Sequence, residues 1–441
     1  MTIPSDQGLP GNLGQSMYEL IRDLYPINRS ITGEGVRRTL DRLSDLIDLQ
    51  VTEVPTGTRV LDWQIPMEWS IEDAYIKDKS GNRVVDYRKS NLHVVGYSVP
   101  VSQNMRLEEL RPHLHSIPEY PDWIPYRTSY YSPNWGFCLS HRTLEAMKDS
   151  DYEVRIDSKL QEGSLNYAEH LIRGRSEQEV LFFSHICHPS LCNDNLSGVA
   201  LLSHLARELG EHDLHFSYRF VFAPATIGSI AWLARNEELL PRIRHGLVVT
   251  VVGDAGHIVY KRSRLGSAEI DKAVEHVLQT TTDQSEILPF TPWGYDERQF
   301  CSPGINLPVG RFTRTPNGCY PEYHTSADDL GLVAPEYLTD SLKAVWRVVE
   351  VLEKNRVYVN TEPKGEPQLG RRGLYQSTGG YQNIADRQLA MLWVLNQSDG
   401  SQSLLDIAVR SGLDFPLVAS VADESIAADL LAERNSSAQL R

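Results

Sequence analysis

SHICHPSLCNDNLSG, residues 184–198, joins a strand to a helix and carries the residues around which the rest of the chain is organised. Before it, Val180–Phe183 is an apolar run that gives way to polar Ser184 and His185, as a buried strand does on leaving a sheet. After it, Leu196, Val199, Leu202, Leu205 and Leu209 recur at the spacing of one helical face. His188 falls in the loop and Asp194 just before the helix. Neutral imidazole and carboxylate both suit Zn²⁺, which would need further ligands from elsewhere. Taken singly, the two residues also read as a loop histidine satisfied by backbone carbonyls and a helix N-cap.

Working outward, the same texture repeats. Tyr218–Pro224 and Leu247–Asp254 are two more buried strands, and Leu338, Leu342, Val345, Val349 and Leu352 mark a late helix. Alternating buried strands and amphipathic helices predict an α/β domain with a mostly parallel sheet sandwiched by helices. Ligands of such sheets bind beyond the carboxyl ends of the strands. Asp254 ends its strand as His185 ends the first, and PEYHTSADD supplies a distant His324 with Glu322 and Asp328 beside it. Two histidines and two aspartates at strand ends and loops form a zinc set.

Other segments differ in kind. Residues 1–50 hold a polar, Gly/Pro-rich start, read as a flexible leader, and then two helices between Met17 and Leu49 with Ser30 or Thr32 as caps. Residues 51–145 crowd Trp63, Trp69, Tyr120, Trp123, Tyr130, Tyr131 and Trp135 among turns, which predicts an inserted β-rich domain. The α/β catalytic domain occupies residues 146–356. After a Gly-rich connector, residues 375–441 read as a small helical, winged-helix-like domain, with helices at Leu389–Leu395, Leu404–Val409 and Leu417–Leu431.

Bulk composition narrows the classes. The chain has 441 residues, 41% hydrophobic and 23% charged, as a globular protein of two or three domains does. A formal charge of −15 disfavours binding to nucleic acid or an anionic membrane. From Tyr381 onward eight acids face four arginines, the wrong sign for DNA, so the tail is expected to pack or to support a homo-oligomer. Five cysteines without a CxxC pair, and a start unlike a secretion signal, predict a cytoplasmic protein. No apolar run is long enough to span a bilayer.

At CHPSLCNDNLSG (Cys187–Gly198), TIGSIAWL (Thr226–Leu233), VVGDAG (Val251–Gly256), DERQFCSPG (Asp296–Gly304) and YPEYHTSADDL (Tyr320–Leu330), the chain resembles the zinc aminopeptidase-like family. That family shares its fold with bacterial leucyl aminopeptidase and glutaminyl cyclase. The closer resemblance is to a bacterial aminopeptidase-like branch found with polysaccharide and natural-product gene clusters, which implies the inserted β-domain and the winged-helix-like tail. It implies a zinc metallopeptidase-like hydrolase that acts on an aminoacyl or peptidyl amide in a small molecule. The implied ligands of one zinc, or two, are His188, Asp194, Asp254 and His324. His185 is the rival for the first position, and the CHP triplet favours His188.

The resemblance also places Asp296 and Glu297 around the substrate. The parent enzymes carry two adjacent glutamates after the strand matching Tyr218–Pro224, a general base and a metal ligand. Here Ala225 and Thr226 stand in those positions. A methyl group accepts no proton, so the chain is expected to bind zinc and hydrolyse slowly. Of the nearby acids, Glu322 and Glu297 are the candidates to substitute.

Arg311 and Arg314 can hold a substrate carboxylate or serve in surface ion pairs. Tyr260 and Tyr323 can donate to a reaction intermediate or be satisfied core tyrosines. Cys187 as a nucleophile lacks a local orienting carboxylate. A catalytically silent zinc protein that binds such a metabolite is the alternative from another class. A DNA-binding regulator is a third, opposed by charge.

Overall fold

The computed structural model describes residues 4–282, 284–374 and 384–434. Two compact units divide the chain. Residues 8–266 and 286–342 build the first, and residues 4–7, 267–285 and 343 onward the second.

The first unit is organised by an eight-stranded sheet. Its four central strands, Ser217–Ala223, Glu179–His185, Ile243–Val249 and Val309–Thr313, are parallel and adjacent in that order. Flanking strands Gln50–Pro55, Ser164–Ile172 and Ile258–Lys261 run antiparallel to their neighbours. The sheet is thus parallel at its centre and mixed at its edges. Every residue of Glu179–His185 is buried, as expected for a strand covered on both faces. Leu181, Phe183, Val221 and Ala223 share one core with Ile227, Ile230 and Trp232 of the helix Ile227–Arg235. The helix Gly198–Leu209 also packs on the sheet, and its stripe Val199, Leu202, Leu205 and Leu209 is fully buried.

The insertion forms a four-stranded antiparallel sheet in the order Arg83–Asp86, Glu68–Lys77, Asp151–Gln161, Val101–Arg106. Its limits differ from the 51–145 expected. Gln50–Pro55 pairs with the main sheet, and Asp151–Gln161 belongs to the insertion. Alternation explains the second case, because Tyr152, Val154, Ile156 and Ser158 point inward while their neighbours face out.

Two N-terminal expectations are corrected. The second helix, Glu34–Ser44, starts from Gly33 and not from Ser30 or Thr32. The Thr32 hydroxyl is spent elsewhere, against the Tyr97 hydroxyl at 2.6 Å and the Trp69 N–H at 3.2 Å. Nor is the start of the chain a loose leader: within the second unit the Trp346 indole donates to the Pro4 carbonyl at 2.9 Å, and Arg347 pairs with Asp6 at 3.0 Å.

The second unit carries helices Ile384–Gln397, Leu404–Ser411 and Phe415–Ala427 with a three-stranded sheet, Asp399–Ser403, Val357–Asn360, Leu431–Glu433. The tail is therefore not purely helical. Its last helix ends at Ala427, and Leu431 starts a strand that pairs with Asn360. Residues 375–383 and 435–441 of the expected tail domain lie outside the described residues. Among the described residues no helix is long and apolar enough to cross a membrane.

Candidate metal centre

At the carboxyl ends of the central strands, imidazoles converge on one carboxylate. Asp194 is fully buried, its Oδ1 is 2.9 Å from His185 Nε2, and its Oδ2 is 2.9 Å from His324 Nε2. His188 Nε2 stands 3.9 Å from the same Oδ2. Ligand atoms of His185, His188 and Asp194 all lie within 4.8 Å of one another. The His188 ring is 4.9 Å from that of His185 and 5.1 Å from that of His324.

Each member is held by the chain around it. His185 is the last residue of its strand, and Tyr295 stacks on its ring at 5.5 Å. The His188 carbonyl accepts from Arg29 Nε at 2.8 Å, fixing its loop to the N-terminal helices. Asp194 sits on a loop whose backbone Asp328 clamps, taking the N–H groups of Cys192, Asn193 and Asp194 at 2.6–3.1 Å. Tyr323 stacks on His324 at 3.9 Å, and the Tyr126 ring meets His188 and His324 edge-on at 5.3 and 5.1 Å. Tyr126 comes from the insertion, and its N–H donates to the His324 carbonyl at 2.8 Å.

Among the described residues, four of the eight non-glycine positive φ values fall at Ser190 (36°), Thr226 (44°), Val251 (46°) and His324 (56°), on segments that border the cluster. Residues with a Cβ hold this conformation at a cost of about 1–3 kcal/mol each, and such strain gathers at functional sites.

Electrostatics sort the charges. Burial drives the His188 pKa down to about 3, so its imidazole is neutral with a lone pair to give. Burial pushes Asp194 up, but the surrounding histidines outweigh it and hold the carboxyl well below the usual range. Cys187 is pushed up to about 12 by burial, so its thiol keeps its proton and is no nucleophile.

The other expected residues are placed as follows. Ala225 lies beside the cluster, its N–H donating to Cys187 Sγ at 3.2 Å. Asp254 is not drawn into the cluster. Its Oδ2 accepts from Asn193 Nδ2 at 2.7 Å, and its Oδ1 from the Thr315 hydroxyl and the Gly256 N–H at 2.5 and 2.7 Å. It supports the loop of Asp194 from one layer out. Arg314 is buried and tied to Asp340 and to the Gly256 carbonyl at 2.8 and 2.7 Å. Tyr260 is packed under the neighbouring strand, where a Cβ at Gly310 would come within 2.1 Å of its hydroxyl. Glu297 is buried in an ion pair with Lys261, with Arg311 at 3.9 Å, and Glu322 is half-buried. Asp296 accepts from the Thr226 N–H and the Ser229 hydroxyl. Sequence reasoning missed Tyr126, Tyr295, Arg29 and the clamp of Asp328. Only Asp328 left a trace, as an acid four residues after His324.

Residues 18–355 match the family described as Domain of unknown function (DUF4910). The chain belongs to that family. Residues 356–433 match a winged helix-turn-helix. A Clostridium acetobutylicum protein named for polysaccharide biosynthesis and an aminopeptidase-like domain is 51% identical over 95% of this chain and 96% of its own length. A crystal structure from the same species, described as of a peptidase, has a TM-score of 0.92 at 50% identity, covering 96% of this chain and 98% of that one. The zinc aminopeptidase of Bacillus subtilis has a TM-score of 0.57 at 13% identity, covering 76% of this chain and 94% of its own. That likeness establishes the aminopeptidase fold.

Proposed function

We propose that this DUF4910 member is a zinc-dependent hydrolase of an amide bond in an aminoacyl or peptidyl small molecule. The observation that carries the reading is the buried convergence of His185, His188 and His324 on Asp194. Three nitrogen donors and one carboxylate favour Zn²⁺ over Mg²⁺ or Ca²⁺, which prefer oxygen ligands. A neutral His188 and an ionised Asp194 are in the protonation states that metal ligation requires. His185 joins the expected ligands, and Asp254 acts behind them. With no second carboxylate in the cluster, one ion suits the donors better than two.

When bound, zinc polarises the scissile carbonyl and acidifies water. The chain's own residues do the rest. Burial raises both the Tyr323 and the Tyr295 phenols, so they stay protonated and serve as donors to a developing oxyanion. Arg311, buried on the strand Val309–Thr313 with its guanidinium 5.6 Å from the Tyr295 ring, is the cation for a substrate carboxylate. The name of the Clostridium relative supports a biosynthetic setting over digestion. All five cysteines are free, which suits a reducing cytoplasm.

The test is metal content followed by turnover. Purified protein should hold one zinc per chain, lose it in His185→Ala and His324→Ala, and release amine from aminoacyl amides. Protein with no zinc at this cluster would overturn the reading. Ala225 favours the second reading, a silent metabolite-binding protein, and zinc-loaded chain without turnover on any amide would support it.

A further inference from the structure

The turn Pro224–Thr226 offers no proton acceptor, because Ala225 presents a methyl group. A carboxylate reaches that turn from another element. Asp296 is 1% exposed, and its Oδ1 accepts from the Thr226 N–H at 3.2 Å and from the Ser229 hydroxyl at 2.6 Å. Its Oδ2 is buried without a hydrogen-bond partner. Buried acceptors are rarely left unmatched, and an exception in a site calls for a role.

Its surroundings tell where the group stands. Asp296 lies within electrostatic reach of His185 and of Cys187, the residue whose sulfur receives the Ala225 N–H. Tyr295, its chain neighbour, stacks on His185. The carboxylate is thus bonded to the turn that carries Ala225, and its chain neighbour lies against a histidine of the cluster. Glu297 also lacks hydrogen-bond partners, but its charge is paired with Lys261; Asp254 is held by Thr315, Gly256 and Asn193, and Asp328 by three backbone N–H groups.

We infer that Asp296 is the proton acceptor of the hydrolytic step, in place of the side chain that Ala225 lacks. The inference rests on the hydrolytic reading above. Asp296 Oδ2 takes one proton from the attacking water, and the water oxygen forms the new C–O bond as the C–N bond breaks. The same proton passes to the leaving nitrogen, which yields a carboxylic acid and an amine and restores the carboxylate. Burial raises the Asp296 pKa toward the range in which a general base works best at neutral pH.

Asp296→Asn separates this role from a purely structural one. Asparagine keeps an oxygen for Thr226 and Ser229 and loses only the proton acceptor. The full-length chain is loaded with Zn²⁺, and zinc content, melting temperature and hydrolysis of aminoacyl 4-nitroanilides are measured. Zinc content and melting temperature should match the parent while turnover falls about 10²-fold or more. Ala225→Glu added to Asp296→Asn should recover turnover, because a carboxylate then returns from the turn itself. Turnover of Asp296→Asn within threefold of the parent at equal zinc overturns the assignment. So does loss of zinc, which would make Asp296 a support of the metal. A double variant that binds zinc and stays inactive overturns it too. A zinc-loaded parent without turnover sinks the Asp296 role and leaves the metal centre standing, whereas a parent without zinc removes the hydrolytic reading itself.

Discussion

Ala225 and Asp194 show how much rests on single side chains here. Asp194 is the only carboxylate touching the three imidazoles among the described residues, so it orients them and would balance the charge of the proposed cation. Ala225 is close enough for its backbone to bond Cys187, yet brings nothing that can move a proton. In the Asp296→Asn background Ala225→Glu should raise amide turnover by about 10²-fold, the scale of a positioned general base, with zinc content unchanged. Equal rates for Asp296→Asn with and without Ala225→Glu at equal zinc loading would show that this turn lies outside the reacting geometry and would overturn the Asp296 role with it. His188 is where the sequence left a choice. Both His185 and His188 follow the strand, and the order of residues cannot say which ring turns toward Asp194. The fold brings both. Asp254 resembles Asp194 in sequence because each follows a buried strand. The chain turns at Val251, with φ of 46°, and the Asp254 carboxylate closes on Gly256 and faces Asn193 rather than the histidines.

At the scale of elements, the loop Cys192–Ser197 depends on Asp328, which takes three successive backbone N–H groups. Asp328→Ala would leave the Asn193 and Asp194 N–H groups unpaired, Cys192 keeping the Asp328 main-chain carbonyl, and let Asp194 move. Supporting residues of this kind typically contribute 10–100-fold to metal affinity. Zinc affinity by competition with a chelator should fall by about that factor, and unchanged affinity would show that the loop holds its shape alone. Strands and helices near the site were legible from periodicity, because 2.0 and 3.6 residue repeats survive in one sequence. The insertion's share in the site was not, since the approach of Tyr126 to His324 joins residues 198 positions apart. A second anchor links Arg37 of the helix Glu34–Ser44 to Glu68 of the insertion by two bonds of 2.7 and 3.1 Å. Arg37, aided by the Ser164 N–H and opposed by burial, lowers the Glu68 pKa below its ordinary 4.5. A depressed acid contributes stability above 4.5 and loses it as pH falls through the folded value. Glu68→Gln should therefore unfold at lower urea than the parent at pH 7, with the gap closing below about pH 4.5. A gap that persists at low pH would mean that the charge is not what matters.

At the scale of the whole molecule, charge decides between roles that fold leaves open. A winged helix-turn-helix invites a DNA-binding reading, and its second helix is the one that enters the major groove in that class. Here the helix after the Gly412 turn, Phe415–Ala427, reads FPLVASVADESIA and contains no lysine or arginine, but carries Asp423 and Glu424. The arginines nearby are engaged within the same unit: Arg387 with Glu424, Arg410 with Gln397 at 2.8 Å, and Arg434 with the Gly400 carbonyl. Affinity for duplex DNA grows with the number of phosphates neutralised and falls steeply with salt. A unit with this helix, in a chain of net charge −15, has little with which to release counterions. We expect the full-length protein to show no binding to mixed-sequence duplex DNA by fluorescence anisotropy at micromolar protein, even at 50 mM salt, where electrostatic contacts are strongest. Binding that weakens with a steep salt slope would reverse this expectation and would assign the tail a regulatory role that its acidic surface argues against.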